Sequence, residues 1–233
     1  MKTFLVSVIS ILFLNFAFGQ NFKNENKLKV INILGAKVYE QPTFNSKILT
    51  ELPAGESIIA EKSIETDESM PIGNGFSLSG KWIKPEKVNG FVFSSDLTNK
   101  KAEIGKDKNG KTYINLLGPL TDKKEEKRLI KTDNGEFPKY FEYKYYENGT
   151  YTYSAWDGCF DHITEYKNLT LSEVYHQMVS EYGLQINKNE FCIPIFQEKS
   201  GNIIKFEGGE ATVDLQIELK ENGTITVSSY DCT

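Results

Sequence analysis

The residues best suited to covalent chemistry are three cysteines and two histidines, all in the second half of the chain: Cys159, Cys192, Cys232, His162 and His176. A cysteine nucleophile needs a thiolate, a histidine base and a third polar group that orients the base. Cys159 and His162 are three residues apart in a glycine-containing segment rather than at a helix start, and His176 falls off the apolar face of a predicted helix. We expect structural cysteines and surface histidines. A hydrolase that uses Cys159 and a histidine is one alternative.

Carboxylates offer a second route to catalysis, because a glycosidase needs two of them across a cleft. Asp157 and Asp161 are candidates, but the chain has 32 acidic residues, so closeness in sequence says little. The sequence has no HExxH, no GxSxG and no glycine-rich phosphate loop. It also has no cysteine or histidine spacing suited to zinc. We therefore expect a protein without catalytic residues, metal or cofactor.

The segment Met1–Gly19 has the pattern of a secretory signal peptide. One lysine at position 2 precedes an apolar run from Phe4 to Phe18, which ends in Ala17-Phe18-Gly19 with small residues at the cleavage positions. The run is shorter than the roughly 20 apolar residues of a membrane-spanning helix. We expect export to the periplasm or the extracellular space, a mature chain that begins at Gln20, and no membrane span after cleavage.

Two segments repeat the same hairpin chemistry. Residues 147–154 read E-N-G-T-Y-T-Y-S and residues 221–228 read E-N-G-T-I-T-V-S, and each continues through an aromatic residue and an aspartate to a cysteine. Asn-Gly between strand-like residues is a strong hairpin signal. Two such hairpins side by side would pair Cys159 with Cys232 in an oxidising compartment. Cys192 with Cys232 is the competing pair, and the remaining cysteine is expected to be a buried apolar thiol.

The overall charge excludes some classes of partner. The net charge is -5, and no basic run is present. A mildly acidic chain of this kind is not expected to bind nucleic acid. The same balance argues against docking on an anionic membrane surface.

Local patterns divide the mature chain into two modules. Residues 20–27 are a polar, flexible lead-in. Residues 28–98 contain short strand-like runs separated by glycine and proline, which predicts a small barrel, with residues 65–80 as a loop. Residues 99–111 are lysine-rich and are interpreted as a linker.

Residues 112–233 are predicted to form an α+β domain, so the fold class is mainly β with one helix beside an antiparallel sheet. Tyr140–Tyr153 is predicted as a hairpin around Asn148-Gly149. Apolar residues recur every three or four positions over Thr170–Tyr182 and predict a helix, capped by Thr170 or Ser172 and ended by Gly183.

The first module resembles the bacterial SH3-like (SH3b) family. The resemblance is carried by an ordered set of segments: Ala36–Pro42, Ser46–Leu49, Leu52, Gly55–Ile58, Lys81–Lys84 and Gly90–Leu97. Three features depart from the family pattern: Tyr39 stands where an arginine is frequent, Phe91 where a tryptophan is usual, and the loop before Trp82 is long. No family resemblance is found for residues 112–233.

The resemblance implies binding, because SH3b modules commonly direct proteins to peptidoglycan. It nominates Tyr39, Trp82 and Phe91 as residues of a ligand groove, while Trp82 and Phe91 also suit the core of a small barrel. We expect an exported envelope binding protein that recognises peptidoglycan or an envelope protein. An inhibitor or immunity-type protein against a secreted toxin or wall hydrolase is the other alternative.

Overall fold

The computed structural model describes residues 26–133, 135–187, 190–209 and 212–232. The predicted signal peptide and most of the lead-in lie outside these ranges. The described chain is mainly β, with one α-helix and several antiparallel sheets, as the sequence predicts. Among the described residues, no helix has the length and apolar character needed to cross a membrane.

The first part of the chain builds a seven-stranded antiparallel sheet and a separate hairpin. In chain order the strands are β1 (Lys27–Val30), β2 (Ala36–Tyr39), β3 (Ile48–Leu52), β4 (Ser57–Ile64), β5 (Ser69–Gly73), β6 (Phe76–Ser79), β7 (Trp82–Pro85), β8 (Phe91–Phe93) and β9 (Leu97–Thr98). The sheet order is β3-β2-β8-β7-β4-β1-β9, and β5 pairs with β6.

This first sheet curves around its own apolar core. Strand β4 pairs with β1 through its first half and with β7 through its second half, with a register shift between Ala60 and Lys62 where the strand bends. Each of the seven strands contributes a buried side chain to one cluster: Val30, Ala36, Val38, Leu52, Ile58, Ile83, Val92 and Leu97. We refer to this unit as the curved sheet.

The second part builds an eight-stranded antiparallel sheet. Its elements are β10 (Glu103–Lys106), β11 (Thr112–Asn115), β12 (Leu120–Thr132), β13 (Gly135–Tyr146), β14 (Gly149–Trp156), β15 (Cys159–Tyr166), α1 (Leu171–Tyr182), β16 (Leu184–Asn187), β17 (Glu190–Cys192), β18 (Ile195–Ser200), β19 (Ile203–Glu207), β20 (Thr212–Leu219) and β21 (Ile225–Cys232). The sheet order is β12-β13-β14-β15-β21-β20-β19-β18, while β10–β11 and β16–β17 form separate hairpins.

Helix α1 begins and ends at predicted residues. The Thr170 side chain accepts a hydrogen bond from the Glu173 backbone, and the Glu173 carboxylate accepts one from the Thr170 backbone. This capping box satisfies two backbone donors that the first turn leaves without helical partners. Gly183 follows as the C-cap, and its N–H donates to the carbonyl oxygen of Val179.

Both predicted hairpin turns are present, and strand β15 separates them. Gly149 of the first repeat and Ile225 of the second both lie opposite Tyr166 of β15, so the two turns lie at the same end of the sheet. The sequence comparison suggested that the two repeats lie side by side. Strand β15 lies between them instead. At Gly149 a Cβ atom would stand 2.1 Å from the carbonyl oxygen of Glu165, so the close approach of β15 requires glycine there.

The predicted disulfide between Cys159 and Cys232 is confirmed. The two residues are directly opposite each other on β15 and β21, and the bridge joins positions 73 residues apart. The expectation for the third cysteine was wrong, because Cys192 is an exposed free thiol. It ends β17 in a small two-stranded hairpin, which leaves its side chain outside the apolar core.

Two segments expected as connections carry regular structure instead. The expected loop at 65–80 contains the hairpin β5–β6, and the expected linker at 99–111 contains β10. Charged and small residues dominate both segments and hide an alternating apolar pattern, in which Phe76, Leu78 and Ala102 are buried. These three side chains pack in the same core cluster as α1 and the eight-stranded sheet, so the two predicted modules share a core.

Opening the disulfide is expected to lower the stability of the whole chain. In the chain-entropy model, a cross-link over a loop of this length stabilises the folded state by about 4 kcal/mol. We expect a Cys159→Ser/Cys232→Ser double variant to lose about that much free energy of unfolding, measured by urea denaturation. Cys192→Ser is the matched control and should unfold at the wild-type midpoint. Equal midpoints for the double variant and the wild type would contradict the prediction.

Candidate ligand-binding site

The polar side of helix α1 is buried where the helix meets the first part of the chain. Four of its polar residues are nearly inaccessible to solvent: Glu173, His176, Gln177 and Ser180. The expectation of a surface His176 was therefore wrong, since only 2% of this residue is exposed. Its position off the apolar stripe suggested exposure, but the curved sheet and β11 cover that side of the helix.

Three of these four residues, Glu173, Gln177 and Ser180, accept hydrogen bonds from the first part of the chain and from the segment that follows it. The Thr98 hydroxyl donates to Glu173 Oε1 at 2.5 Å. The Ile114 backbone N–H donates to Ser180 Oγ at 2.7 Å, and the Leu116 N–H donates to Gln177 Oε1 at 2.8 Å. These bonds attach strands β9 and β11 to the helix. They stabilise the junction, because each of these buried groups would be destabilising without a partner.

A cavity of about 530 Å³ opens beside this junction. It is bounded by the curved sheet, the hairpin β5–β6, helix α1 and the segment after β17. Its lining residues are Asn32, Leu34, Gly35, Lys37, Tyr39, Phe44, Glu51, Met70, Pro71, Ile72, Asp96, Tyr175, His176, Val179 and Ile193. The volume and the mixture of apolar walls with a few polar groups are typical of sites for small ligands.

The polar floor of the cavity is formed by Asp96 and His176. Asp96 is 4% exposed, and its Oδ1 atom accepts a hydrogen bond from Asn32 Nδ2 at 3.0 Å. His176 Nε2 lies 3.3 Å from the same oxygen. The direction of this contact does not meet hydrogen-bond geometry, so Nε2 has no hydrogen-bond partner among the described residues. The floor therefore holds a buried carboxylate beside a buried imidazole nitrogen.

Two phenols on the cavity walls are held in their neutral form. Burial, followed by the charge of Asp96, raises the pKa of Tyr175 to about 12. The same two causes, in the same order, raise the pKa of Tyr39. Both hydroxyl groups therefore keep their protons at neutral pH and remain hydrogen-bond donors.

The three sequence-nominated residues have different surroundings. Tyr39 lines the cavity, with its ring centroid 5.7 Å from that of Phe44 and 5.2 Å from that of Trp82. Trp82 is completely buried, and its indole N–H donates to Glu68 Oε2 at 2.9 Å. Phe91 is half-buried on β8 opposite Tyr39 and does not line the cavity. The structure thus brings Tyr39 and Trp82 together. Of the three nominated residues, only Tyr39 lines the cavity.

Sequence reasoning missed most of the cavity. Phe44, Asp96 and Tyr175 lie on the curved sheet's connections and on α1, and they meet only because these parts pack together. Phe44 lies in the turn region after β2, where an aromatic residue could have been recognised as a candidate for ligand contact. Asp96 lies within the SH3b-like segment Gly90–Leu97, but nothing in that pattern distinguishes it from other acids.

The candidate catalytic residues are engaged in structural contacts. Cys159 is in the disulfide, so it has no thiolate to act as a nucleophile while the bridge is closed. His162 Nδ1 lies 2.7 Å from the Tyr151 hydroxyl oxygen, and Asp161 is ion-paired with Lys139 at 2.7 Å. Asp157 lies in the turn before Cys159 with a φ angle of 53°. Within the described ranges, no three His, Cys, Asp or Glu side chains group as metal ligands.

Truncation of Trp82 should affect stability because of its burial. We expect Trp82→Ala to lower the free energy of unfolding by about 3–5 kcal/mol, as for other large buried aromatic residues. Phe91→Ala, at a half-buried position, should have a smaller effect. Both values are measured by chemical denaturation. A Trp82→Ala variant as stable as the wild type would contradict the placement of this side chain in the core.

The chain was compared with protein-family models, with curated proteins and with solved structures, and none of these comparisons gives a match.

Proposed function

We propose that the protein is an exported binding protein of the bacterial cell envelope, with an SH3-like first module, and that it binds peptidoglycan at the cavity beside α1. The observation that carries this proposal is the cavity itself. It combines an accessible tyrosine of the SH3b-like segment, Tyr39, with apolar walls and a polar floor. The binding surface thus includes residues from both halves of the chain.

Export is supported by the disulfide and by the signal-like segment. Disulfides persist in oxidising compartments such as the periplasm and the extracellular space, and are rare in the cytosol. The bridge between Cys159 and Cys232 joins two neighbouring strands of the largest sheet. This agrees with the export expected from residues Met1–Gly19.

Binding through the cavity suits a wall fragment in chemical terms. The rings of Tyr39, Phe44 and Tyr175 offer large contact areas with little loss of side-chain freedom. The Asp96 carboxylate provides a hydrogen-bond acceptor at the floor, which would fix the orientation of a ligand. A short peptide or an amide-bearing sugar presents both the apolar surface and the polar groups that such a site can contact.

The experiment is co-sedimentation of residues 20–233 with purified peptidoglycan. We expect the wild type to pellet and Tyr39→Ala to bind roughly tenfold more weakly or worse, since loss of an aromatic anchor from a binding site commonly costs about 2 kcal/mol. Tyr145→Ala is the matched control, because this half-buried tyrosine on β13 does not line the cavity. All three proteins are first checked for equal folding by circular dichroism.

Two results would count against the proposal. If the wild type stays in the supernatant, the proposal that the protein binds peptidoglycan is wrong. The partner should then be sought among secreted toxins and wall hydrolases, as the inhibitor alternative requires. If Tyr39→Ala pellets as well as the wild type, the cavity is not the binding site.

A further inference from the structure

The charged groups around the cavity favour a positively charged ligand. Two carboxylates, Asp96 and Glu51, line it against a single ammonium group, that of Lys37. Lys37 is exposed and lies opposite Glu51 on the neighbouring strand, so its charge is at the mouth. Asp96 is buried at the floor, where solvent screens its charge least.

The position of Glu51 at the mouth depends on a glycine. Gly35 has a φ angle of +90°, and a Cβ atom there would stand 2.5 Å from Glu51 Oε1. Any side chain at position 35 would therefore be strained and would displace the carboxylate. Gly35 therefore leaves room for the Glu51 carboxylate at the mouth of the cavity.

The floor has hydrogen-bonding capacity that the described residues do not use. His176 Nε2 is buried without a hydrogen-bond partner, although it lines the cavity beside Asp96. A buried polar atom in this state is destabilising unless something bonds to it. An ammonium group carries three N–H donors and can donate to the Asp96 carboxylate, beside which the His176 ring lies. A carboxylate ligand would instead be repelled by Asp96 and Glu51.

The walls suit a cation as well. The aromatic rings of Tyr39, Phe44 and Tyr175 line the same cavity. The face of an aromatic ring attracts a cation within about 6 Å of its centroid, more strongly when the site is shielded from water. Apolar side chains of Met70, Ile72 and Ile193 complete the lining and can contact an aliphatic chain.

We propose that the cavity binds the ammonium group of an aliphatic amine, with the Asp96 carboxylate as its acceptor and the three aromatic rings as its walls. This inference rests on the proposed function, because it names the chemical group that the same cavity recognises. Glu51 contributes a second, weaker attraction at the mouth.

The test uses three probes of the same length on the full mature chain: n-pentylamine, n-pentanol and pentanoate. Binding is followed by NMR, through the imidazole signals of His176 and titration of the backbone amides around the cavity. We expect pentylamine to shift the His176 signals and to bind roughly tenfold more tightly than pentanol, because hydrogen bonds to charged groups are the stronger ones. Pentanoate should bind least.

Asp96→Asn keeps the shape of the floor and removes its charge. We expect it to weaken pentylamine binding roughly tenfold while pentanol binding stays unchanged. Asp67→Asn is the matched control, since Asp67 is exposed and does not line the cavity. Should Asp96→Asn fail to fold, Glu51→Gln at the mouth takes its place, with a smaller expected loss for the amine alone.

The outcomes separate this inference from the proposed function. Pentylamine binding that depends on Asp96 or Glu51 supports the inference, even if peptidoglycan does not sediment the protein. Equal binding of pentylamine and pentanol, or no shift of the His176 signals by pentylamine, overturns the inference, even if peptidoglycan pellets the wild type and not Tyr39→Ala.

Discussion

The structure depends on the burial of helix α1 on both of its sides. Its apolar side, with Val174 and Met178, packs in the core over the eight-stranded sheet. Its polar side carries Glu173, Gln177 and Ser180 into contact with strands β9 and β11. Burying these groups is tolerable only because each has a partner, and the partners come from the first part of the chain and from the hairpin that follows it. The helix therefore determines how the two halves meet.

The cavity is a consequence of this packing. The curved sheet brings Tyr39 and Asp96, and the helix brings Tyr175 and His176. The hairpin β5–β6 closes one side, and its Phe76 lies in the core with Tyr175 and Phe206. A cavity made in this way is absent from either half alone. For the same reason the SH3b-like segment does not provide the site by itself, and Trp82 serves as a buried support for the Tyr39 ring.

Local signals in the sequence predicted part of the local structure, but they missed the hairpin β5–β6 and strand β10. The capping box at Thr170 and Glu173, the Asn-Gly turns and the Cys159–Cys232 pair each depend on neighbouring residues or on one strand pairing. The burial of His176 and Ala102, which the sequence did not predict, depends on long-range packing. His176 is buried because a second surface covers the polar side of its helix, and Ala102 is buried because a charged segment docks on the core. The residue types at positions 102 and 176 do not reveal these contacts, because the surfaces that cover them come from distant parts of the chain.

Because the two halves share a core cluster, we expect them to fold as one cooperative unit, and the two tryptophans allow a direct test. Trp82 lies in the curved sheet and Trp156 at the end of β14. Trp82→Phe leaves Trp156 as the only tryptophan, and Trp156→Phe leaves Trp82. Urea unfolding of each variant is followed by tryptophan fluorescence and by far-UV circular dichroism. We expect one transition in each variant, with the same midpoint for both signals. Fluorescence midpoints that differ from the circular dichroism midpoint, with one half unfolding before the other, would contradict it.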